Sequence, residues 1–222
     1  MKASMNCVLV PVKALAQGKT RLSTLLSPEE RHALSRAMLT DVVTNARRAI
    51  GVDRVVVVSS DPSLLELAHQ LGADPVDEGS PRGLNGAVAV GTEFCLQLGA
   101  TAVLVLLADL PLVMAQDVER VFQQIREKSQ IVVVPCKEGD GTNALLRTPP
   151  EIVPTRFGGP SLEAHRKVAH EYHVACQTIE IPRIAFDVDS SEDLRWLASQ
   201  PQLTQTLQVL QEFSVFAQGK SQ

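Results

Sequence analysis

Short apolar runs alternate along the chain with longer segments in which apolar residues recur at helical spacing. The runs at residues 7–12, 54–59 and 101–107 are rich in valine and leucine, which is typical of strands buried on both faces. Between them, the spacing of apolar positions predicts helices over residues 27–50 and 84–98. The alternation continues through shorter elements: strands at 73–76 and 131–135, a helix after Asp61 and a helix over 115–128. It predicts an α/β fold with a mostly parallel sheet and helices on both faces.

The regular alternation ends near residue 135. Glycine and proline are frequent from residue 135 to residue 160, which predicts long loops. Beyond them we predict a helix over 161–170 and two strands, 174–181 and 184–188, that add antiparallel to the sheet. A serine pair at 190–191, followed by acidic residues, predicts the start of another helix.

The C-terminal segment has its own pattern. We predict a single domain at residues 1–200, followed at 201–222 by a helix and a flexible tail. The helix places apolar side chains on one side: Leu203, Leu207, Leu210 and Phe213. An apolar side of this kind needs cover, and the sequence leaves open whether a second copy in a homodimer or the chain's own domain supplies it.

Composition narrows the class of protein. A net charge of −4, with one Trp and one Tyr, argues against a nucleic-acid partner, because neither a basic face nor stacking rings are available. No apolar run is long enough to span a membrane, and the chain enters its first predicted strand without a secretory signal. The four cysteines form no CxxC pair, and the histidines at 165, 170 and 173 have no accompanying cysteine or carboxylate pattern. We therefore expect a cytoplasmic protein with reduced thiols and without a zinc site.

The central predicted strand ends in a carboxylate. Asp109 follows the apolar run directly, and Pro111 comes two residues later. Ligands of open parallel sheets bind beyond the carboxyl ends of the strands, so Asp109 is a candidate for holding a magnesium–phosphate complex. The alternative is that Asp109 caps the helix that follows.

The loop after the first strand is basic. Lys13, Lys19 and Arg21 lie within nine residues of one another and form a candidate triphosphate clamp. The loop has neither the GxGxxG spacing of dinucleotide folds nor the complete P-loop pattern. An ordinary solvated loop is the alternative.

Three further segments carry polar side chains beside glycine. Asn85 lies in a glycine-rich stretch that leads into a helix, where it could face a nucleoside or serve as the N-cap. Asp187 and Asp189 lie on one side of an extended segment and could join Asp109 at a metal, unless Asp189 caps the next helix. The loops at 139–143 and 156–161 suit a small phosphorylated carboxylic acid, although turn chemistry alone also explains them.

Six motifs in this order resemble a known family. They are Val10-Pro11-Val12-Lys13 with Lys19-Thr20-Arg21-Leu22, Gly83-Leu84-Asn85, Ala108-Asp109-Leu110-Pro111, Gly141-Thr142-Asn143, Phe157-Gly158 with Ser161, and Asp187-Val188-Asp189. Together they resemble the 2-phospho-L-lactate guanylyltransferase family of coenzyme F-420 biosynthesis, over roughly residues 6–198. The resemblance implies a Rossmann-like, three-layer α/β/α nucleotidyltransferase fold of the nucleotide-diphospho-sugar transferase type. It also implies transfer of GMP from GTP to 2-phospho-L-lactate, phosphoenolpyruvate or 3-phosphoglycerate, with release of pyrophosphate.

The combined hypothesis assigns a role to each candidate. Mg²⁺ is held by Asp109, Asp187 and Asp189, and the nucleotide by Lys13, Lys19, Arg21 and Asn85, with the cations and Asp109 acting in catalysis. The resemblance implies that the acceptor loops bind the acid, through Thr142, Gly158 and Ser161. Two alternatives remain open: a nucleotidyltransferase for another acceptor, such as a molybdopterin, and a non-catalytic GTP-binding regulator.

Overall fold

Seven strands form one sheet in the part of the chain that the computed structural model describes, residues 4–13, 22–201 and 204–213. In chain order they are β1 (Asn6–Pro11), β2 (Arg54–Ser59), β3 (Asp74–Asp77), β4 (Ala102–Leu106), β5 (Gln130–Pro135), β6 (Thr142–Thr148) and β7 (Ala175–Thr178). Their order across the sheet is β3-β2-β1-β4-β6-β5-β7. Neighbouring strands are parallel except at β6, which runs antiparallel to both β4 and β5.

Eight helices lie in the described part of the chain. They are α1 (Pro28–Arg48), α2 (Pro62–Gln70), α3 (Gly83–Gln97), α4 (Ala115–Phe122), α5 (Ser161–Glu171), α6 (Pro182–Ala185), α7 (Ser191–Ala198) and α8 (Gln205–Glu212). Four of them, α1, α2, α7 and α8, begin at a residue whose side chain caps the helix. Ser27 and Ser190 form capping boxes with Glu30 and Asp193, and the Asp61 side chain accepts the amide of Ser63. These caps satisfy amides that have no partner within the helix, which explains why local sequence predicts the helix starts.

Two apolar layers cover the faces of the sheet. Val8 and Val10 of β1 face one layer, which includes buried residues of α1, α2 and α4. Cys7 and Leu9 of the same strand face the other layer, which includes residues of α3 and α5. Alternate side chains of a strand point to opposite faces, so a strand that is apolar at every position requires helices on both sides. The predicted α/β/α arrangement with a mostly parallel sheet is confirmed.

The second half of the sheet differs from the sequence-based expectation. The segment predicted as loop contains β6, whose seven residues are all buried and form the antiparallel addition. The strand β7 is parallel to β5, and residues 184–188 are not a strand, since α6 covers their start. Asn143, Arg147 and Thr148 interrupt the apolar pattern of β6. These polar residues form hydrogen bonds inside the fold, which residue type alone does not reveal.

The C-terminal helix packs on its own chain. Leu207, Leu210 and Phe213 belong to a third buried cluster with residues of α1 and α7. The buried Asp41 of α1 accepts hydrogen bonds from the amides of Gln205 and Thr206, at 2.8 and 2.9 Å. The domain boundary at residue 200 and the homodimer stay predictions. Within the described residues, no helix combines the length and apolar character needed to cross a membrane.

Candidate active site

The candidate residues gather at one edge of the sheet. The carboxyl ends of β1 and β4 lead to Lys13 and Asp109, and the carboxyl end of β2 leads to Ser60. Because β6 runs antiparallel to β4, its first residues, Thr142 and Asn143, lie at this same edge. Ligand sites of open α/β sheets occur at this edge.

Asp109 and Asp187 are brought together by a backbone contact. The amide of Val188 donates to the carbonyl oxygen of Asp109 at 3.2 Å. Burial raises the pKa of Asp187, the negative charge of Asp109 raises it further, and a hydrogen bond from Asn143 opposes the rise. Two carboxylates that feel each other's charge in a half-buried position favour a nearby cation.

Neither Asp109 nor Asp189 caps a helix, which was the alternative explanation for each of them. The N-cap of α4 is Met114, five residues beyond Asp109. The N-cap of α7 is Ser190, and the exposed Asp189 precedes it. Their position at the sheet edge therefore needs another explanation than helix capping.

The carboxylates provide part of a coordination shell for a hard cation. In the described part of the chain, no group of three or more His, Cys, Asp and Glu side chains is arranged to hold a metal ion. Mg²⁺ typically binds one or two protein carboxylates and completes its octahedron with phosphate oxygens and water. Asp109 and Asp187 fit that requirement by donor type, and Asp189 extends the acidic segment.

Asn143 and Lys137 hold the acidic segment in place. The buried Asn143 amide donates to the carbonyl oxygens of Ile184 and Ala185 and, at 3.2 Å, to Oδ1 of Asp187. Lys137 Nζ donates to the Asp187 carbonyl oxygen at 3.1 Å and forms an ion pair with Asp193. No sequence signal pointed to Lys137, because a lysine after a strand is common. Asn143 was part of a loop motif, but nothing in that motif indicated its contact with Asp187.

One side of the edge, beside β1, β2 and β3, is an open cleft. Its lining residues come from the ends of β1, β2 and β3 and from the start of α3: Pro11, Val12, Lys13, Ser60, Glu78, Pro81, Gly83, Leu84 and Ala87. Lys13 is exposed at this cleft. Lys19 and Arg21 lie outside the described residues, so the triphosphate clamp stays a prediction for them.

Asn85 connects the cleft to the predicted acceptor loop at 156–161. Its side-chain amide donates to the carbonyl oxygen of Phe157 at 2.8 Å, and its oxygen accepts the Phe157 amide at 2.9 Å. Asn85 lies within the first turn of α3, whose N-cap is Arg82, so it is not the cap. The pair fastens the helix that lines the cleft to the loop before α5. A contact with the nucleoside stays a prediction for Asn85.

His165 joins the two predicted acceptor loops. This fully buried ring lies 3.2 Å from Thr142 Oγ1 through Nδ1, and its Nε2 accepts the amide of Arg156 at 2.9 Å. The acceptor role of Nε2 assigns the proton to Nδ1. Burial lowers the pKa of His165 to about 4, so the ring is neutral at pH 7. No metal pattern surrounds this histidine in the sequence, and its role as a link between loops was missed.

The loop before α5 is shaped by glycine. Gly158 and Gly159 have φ angles of 100° and 57°, in the left-handed region that favours glycine. Ser161, the first residue of α5, is buried, and the amide of Leu162 donates to the carbonyl oxygen of Asp140 at 2.9 Å. Thr142 and Ser161 therefore belong to one connected unit, although acceptor binding by them and by Gly158 stays a prediction.

Comparison with known sequences identifies related enzymes. Residues 6–220 match the family model described as guanylyl transferase CofC like. The phosphoenolpyruvate guanylyltransferase of Rubrobacter xylanophilus is 43% identical over 84% of this chain and 90% of the relative. The 2-phospho-L-lactate guanylyltransferase of Methanothermobacter thermautotrophicus is 35% identical, over 85% of this chain and 82% of the relative. The 3-phospho-D-glycerate guanylyltransferase of Colwellia psychrerythraea is 31% identical, over 86% and 90%.

Solved structures share the fold at low sequence identity. A candidate nucleotide-diphospho-sugar transferase from Desulfovibrio desulfuricans G20 has a TM-score of 0.74 and 16% identity, over 97% of this chain and 98% of that chain. A nucleotidyl transferase from Methanothermobacter has a TM-score of 0.63 and 15% identity, over 88% and 96%. The expected nucleotidyltransferase fold is confirmed.

Proposed function

Because this chain belongs to the CofC-like guanylyl transferase family, we propose that it transfers GMP from GTP to a small phosphorylated carboxylic acid and releases pyrophosphate. The named relatives act on phosphoenolpyruvate, 2-phospho-L-lactate or 3-phospho-D-glycerate, so the proposed acceptor is one of these acids. A place in coenzyme F-420 biosynthesis and in the cytoplasm belongs to the same proposal. The observation that carries it is the pairing of Asp109 with Asp187 beside the cleft and the acceptor loops.

The nucleotide would bind with its base in the cleft and its phosphates toward Lys13. The walls include Pro11, Leu84 and Ala87, which suit a flat apolar ring face. Lys13, together with Lys19 and Arg21, would offset the negative charge of the triphosphate and of the departing pyrophosphate.

Asp109 and Asp187, with Asp189, would hold Mg²⁺ between the nucleotide and the acceptor. When bound, Mg²⁺ supplies positive charge that polarises phosphate oxygens. Asn143 and Lys137 keep the acidic segment against Asp109. The protein's own contribution is therefore a fixed position for the two reacting phosphates.

The acceptor would lie against the unit formed by Thr142, Gly158 and Ser161. Its phosphate oxygen would attack the α-phosphorus of GTP. The bond from that phosphorus to the α–β bridging oxygen would break, and pyrophosphate would leave with that oxygen. The attacking oxygen carries negative charge at neutral pH, because the second pKa of a phosphate monoester is near 6. No general base is required, and the neutral His165 positions the loop without exchanging a proton.

Pyrophosphate release tests the proposal directly. The purified protein is assayed with Mg²⁺, each of the common nucleoside triphosphates and each of the three acids. We expect release that needs both GTP and one acid, and that stops when EDTA removes the metal. The three acids differ by small groups that a pocket distinguishes by only about 1–3 kcal/mol, so activity with a second acid is expected at lower kcat/KM. Binding of GTP without release in any combination would favour the regulator.

A further inference from the structure

We propose that Glu78 recognises the base of the nucleotide, by accepting hydrogen bonds from N1–H and the 2-amino group of guanine. The inference deepens the proposed function and rests on it in one respect, that the cleft holds the nucleoside of GTP. It makes Glu78 the residue that selects GTP over other nucleoside triphosphates.

Glu78 is held in the wall of the cleft through both its backbone and its side chain. Its amide donates to the carbonyl oxygen of Ser59 at 3.1 Å, beside the lining residue Ser60. Its Oε2 lies 3.4 Å from the amide of Arg82, which directly precedes the lining residue Gly83. The residue is only 8% exposed, and glutamate is rarely buried to this extent unless its charge is paired.

The carboxylate retains hydrogen-bonding capacity for a ligand. Among the described residues, the Arg82 amide is the donor that reaches it, and at 3.4 Å this bond is long. Ionised carboxylates accept at two oxygens and donate nothing. A ligand that offers two parallel N–H donors from the open side of the cleft would therefore satisfy Glu78, which is otherwise buried in the cleft wall.

Guanine is the common base with that donor pattern. Its N1–H and 2-amino group point the same way, whereas adenine presents a ring-nitrogen acceptor next to its amino group. Cytosine likewise presents an acceptor beside a donor, and uracil has one N–H between two carbonyl oxygens. A base that turns an acceptor toward Glu78 meets a negative charge, and a site built for hydrogen bonds rejects such a base strongly.

The neighbouring Asp77 is a matched control. It carries the same charge and lies one residue earlier, but it is exposed and outside the cleft lining. Its Oδ1 accepts the amide of Gly79 at 2.7 Å, a turn contact that an asparagine oxygen can also make.

The test compares Glu78→Gln with Asp77→Asn in their use of GTP, ITP and XTP. The glutamine oxygen can still accept from N1–H. Its NH2 group, however, would face the 2-amino group of guanine, and two donors cannot form a hydrogen bond with each other. It can instead donate to the 2-carbonyl oxygen of xanthine. We expect the GTP:XTP ratio of kcat/KM to fall by about 100-fold or more in Glu78→Gln and to stay unchanged in Asp77→Asn. We also expect the preference of the wild type for GTP over ITP, which lacks the 2-amino group, to disappear in Glu78→Gln.

Equilibrium binding of the same nucleotides separates this inference from the proposed function. If the wild type releases no pyrophosphate but binds GTP more tightly than ITP, and Glu78→Gln loses that difference, the proposed reaction fails and base recognition by Glu78 stands. An unchanged GTP:XTP ratio in Glu78→Gln overturns the inference. An equal loss for all nucleotides also overturns it, because a contact with the ribose or a purely structural role would act in that way. Thermal unfolding of both variants confirms that the comparison is made on folded protein.

Discussion

The two halves of the sheet edge use polar side chains differently. On the side of β1, β2 and β3, Lys13 and Glu78 line an open cleft where they can contact a ligand. On the side of β6 and α5, the buried Asn143 and His165 direct their polar atoms to protein partners. One half therefore offers charged groups to a ligand, whereas the other half fixes the shape of loops. Asp109 and Asp187 lie where the halves meet.

The comparison implies two kinds of mutational effect. Replacement of a group that faces the ligand should reduce turnover and leave the fold unchanged. Replacement of a group that holds a loop should change both stability and turnover, because the loop loses its fixed position.

Asp109→Asn should have the largest effect on activity. The variant keeps the size of the side chain but removes the charge that the proposed metal requires, so we expect turnover to fall by about 10³-fold or more. Pyrophosphate release measures the loss, and thermal unfolding should be close to that of the wild type. Asp74→Asn is the control, because Asp74 belongs to β3 and pairs with Arg54 at 2.8 Å. Turnover near the wild-type level in Asp109→Asn would remove Asp109 from the metal site.

Asn143→Ala should reduce both stability and turnover. It removes the side-chain donor to the Ile184 carbonyl oxygen, one of the two donors to the Ala185 carbonyl oxygen, and the hydrogen bond to Asp187. We expect a loss of about 2–3 kcal/mol in the free energy of unfolding by urea and of about 100-fold in turnover. The control is Asn45→Ala on α1, whose amide donates to the carbonyl oxygen of Asp41 at 2.9 Å. A stable Asn143→Ala enzyme with full activity would contradict the positioning role.

His165 should make stability depend on pH in acid. Burial lowers its pKa to about 4 in the folded protein, from an ordinary value of 6.5. As the pH falls, the ring is protonated in the unfolded chain before it is protonated in the folded protein. The contribution of His165 to the free energy of unfolding is therefore complete above about pH 6.5 and is lost as the pH falls toward 4. We expect this contribution to be about 3 kcal/mol in urea unfolding across that window.

His165→Gln should lose this part of the pH dependence and be less stable at pH 7. His170→Gln is its control, because His170 is exposed on the same helix. If His165→Gln and the wild type show parallel stability profiles between pH 6.5 and 4, the buried ring is not the group that titrates.

Of the four substitutions Asp109→Asn, Asn143→Ala, His165→Gln and Lys137→Met, the last should change the protein's properties least. It removes the donor to the Asp187 carbonyl oxygen and the partner of Asp193, but leaves Asn143 in place. We expect turnover to fall by about tenfold, with little change in thermal unfolding, because the ion pair is partly exposed. The one Trp of the chain, Trp196, contacts the Phe186 ring at 4.4 Å and provides a fluorescence signal from this segment.

The Trp196 fluorescence distinguishes a change in the segment around Phe186 from a change in the whole protein. We expect the fluorescence of the Lys137→Met variant to shift, since Lys137 also lies 5.0 Å above the Phe186 ring. Lys167→Met, at an exposed position on α5, should change neither fluorescence nor turnover. Unchanged fluorescence and turnover in Lys137→Met would show that Asn143 alone is sufficient to hold the acidic segment.

The part of the fold that was predicted depends on short-range patterns. The strands β1, β2 and β4 are continuous apolar runs, and the starts of α1 and α7 carry capping boxes at Ser27 and Ser190. Asp109 was found because it ends such a run, and the rule for open sheets places a strand end at the ligand. Each of these signals lies within a few residues, where side-chain burial and backbone capping act directly.

The direction of β6 and the links between loops were decided by tertiary structure. Asn143 contacts Asp187 across 44 residues of sequence, and Asn85 contacts Phe157 across 72. Asparagine and histidine can cap a helix, hold a loop or bind a ligand, so residue type does not select among these roles. Local sequence patterns are therefore enough to predict the alternating strands and helices and the carboxylate at the end of β4. Which polar atoms find partners inside the protein follows from the tertiary structure, because those partners are distant in the chain.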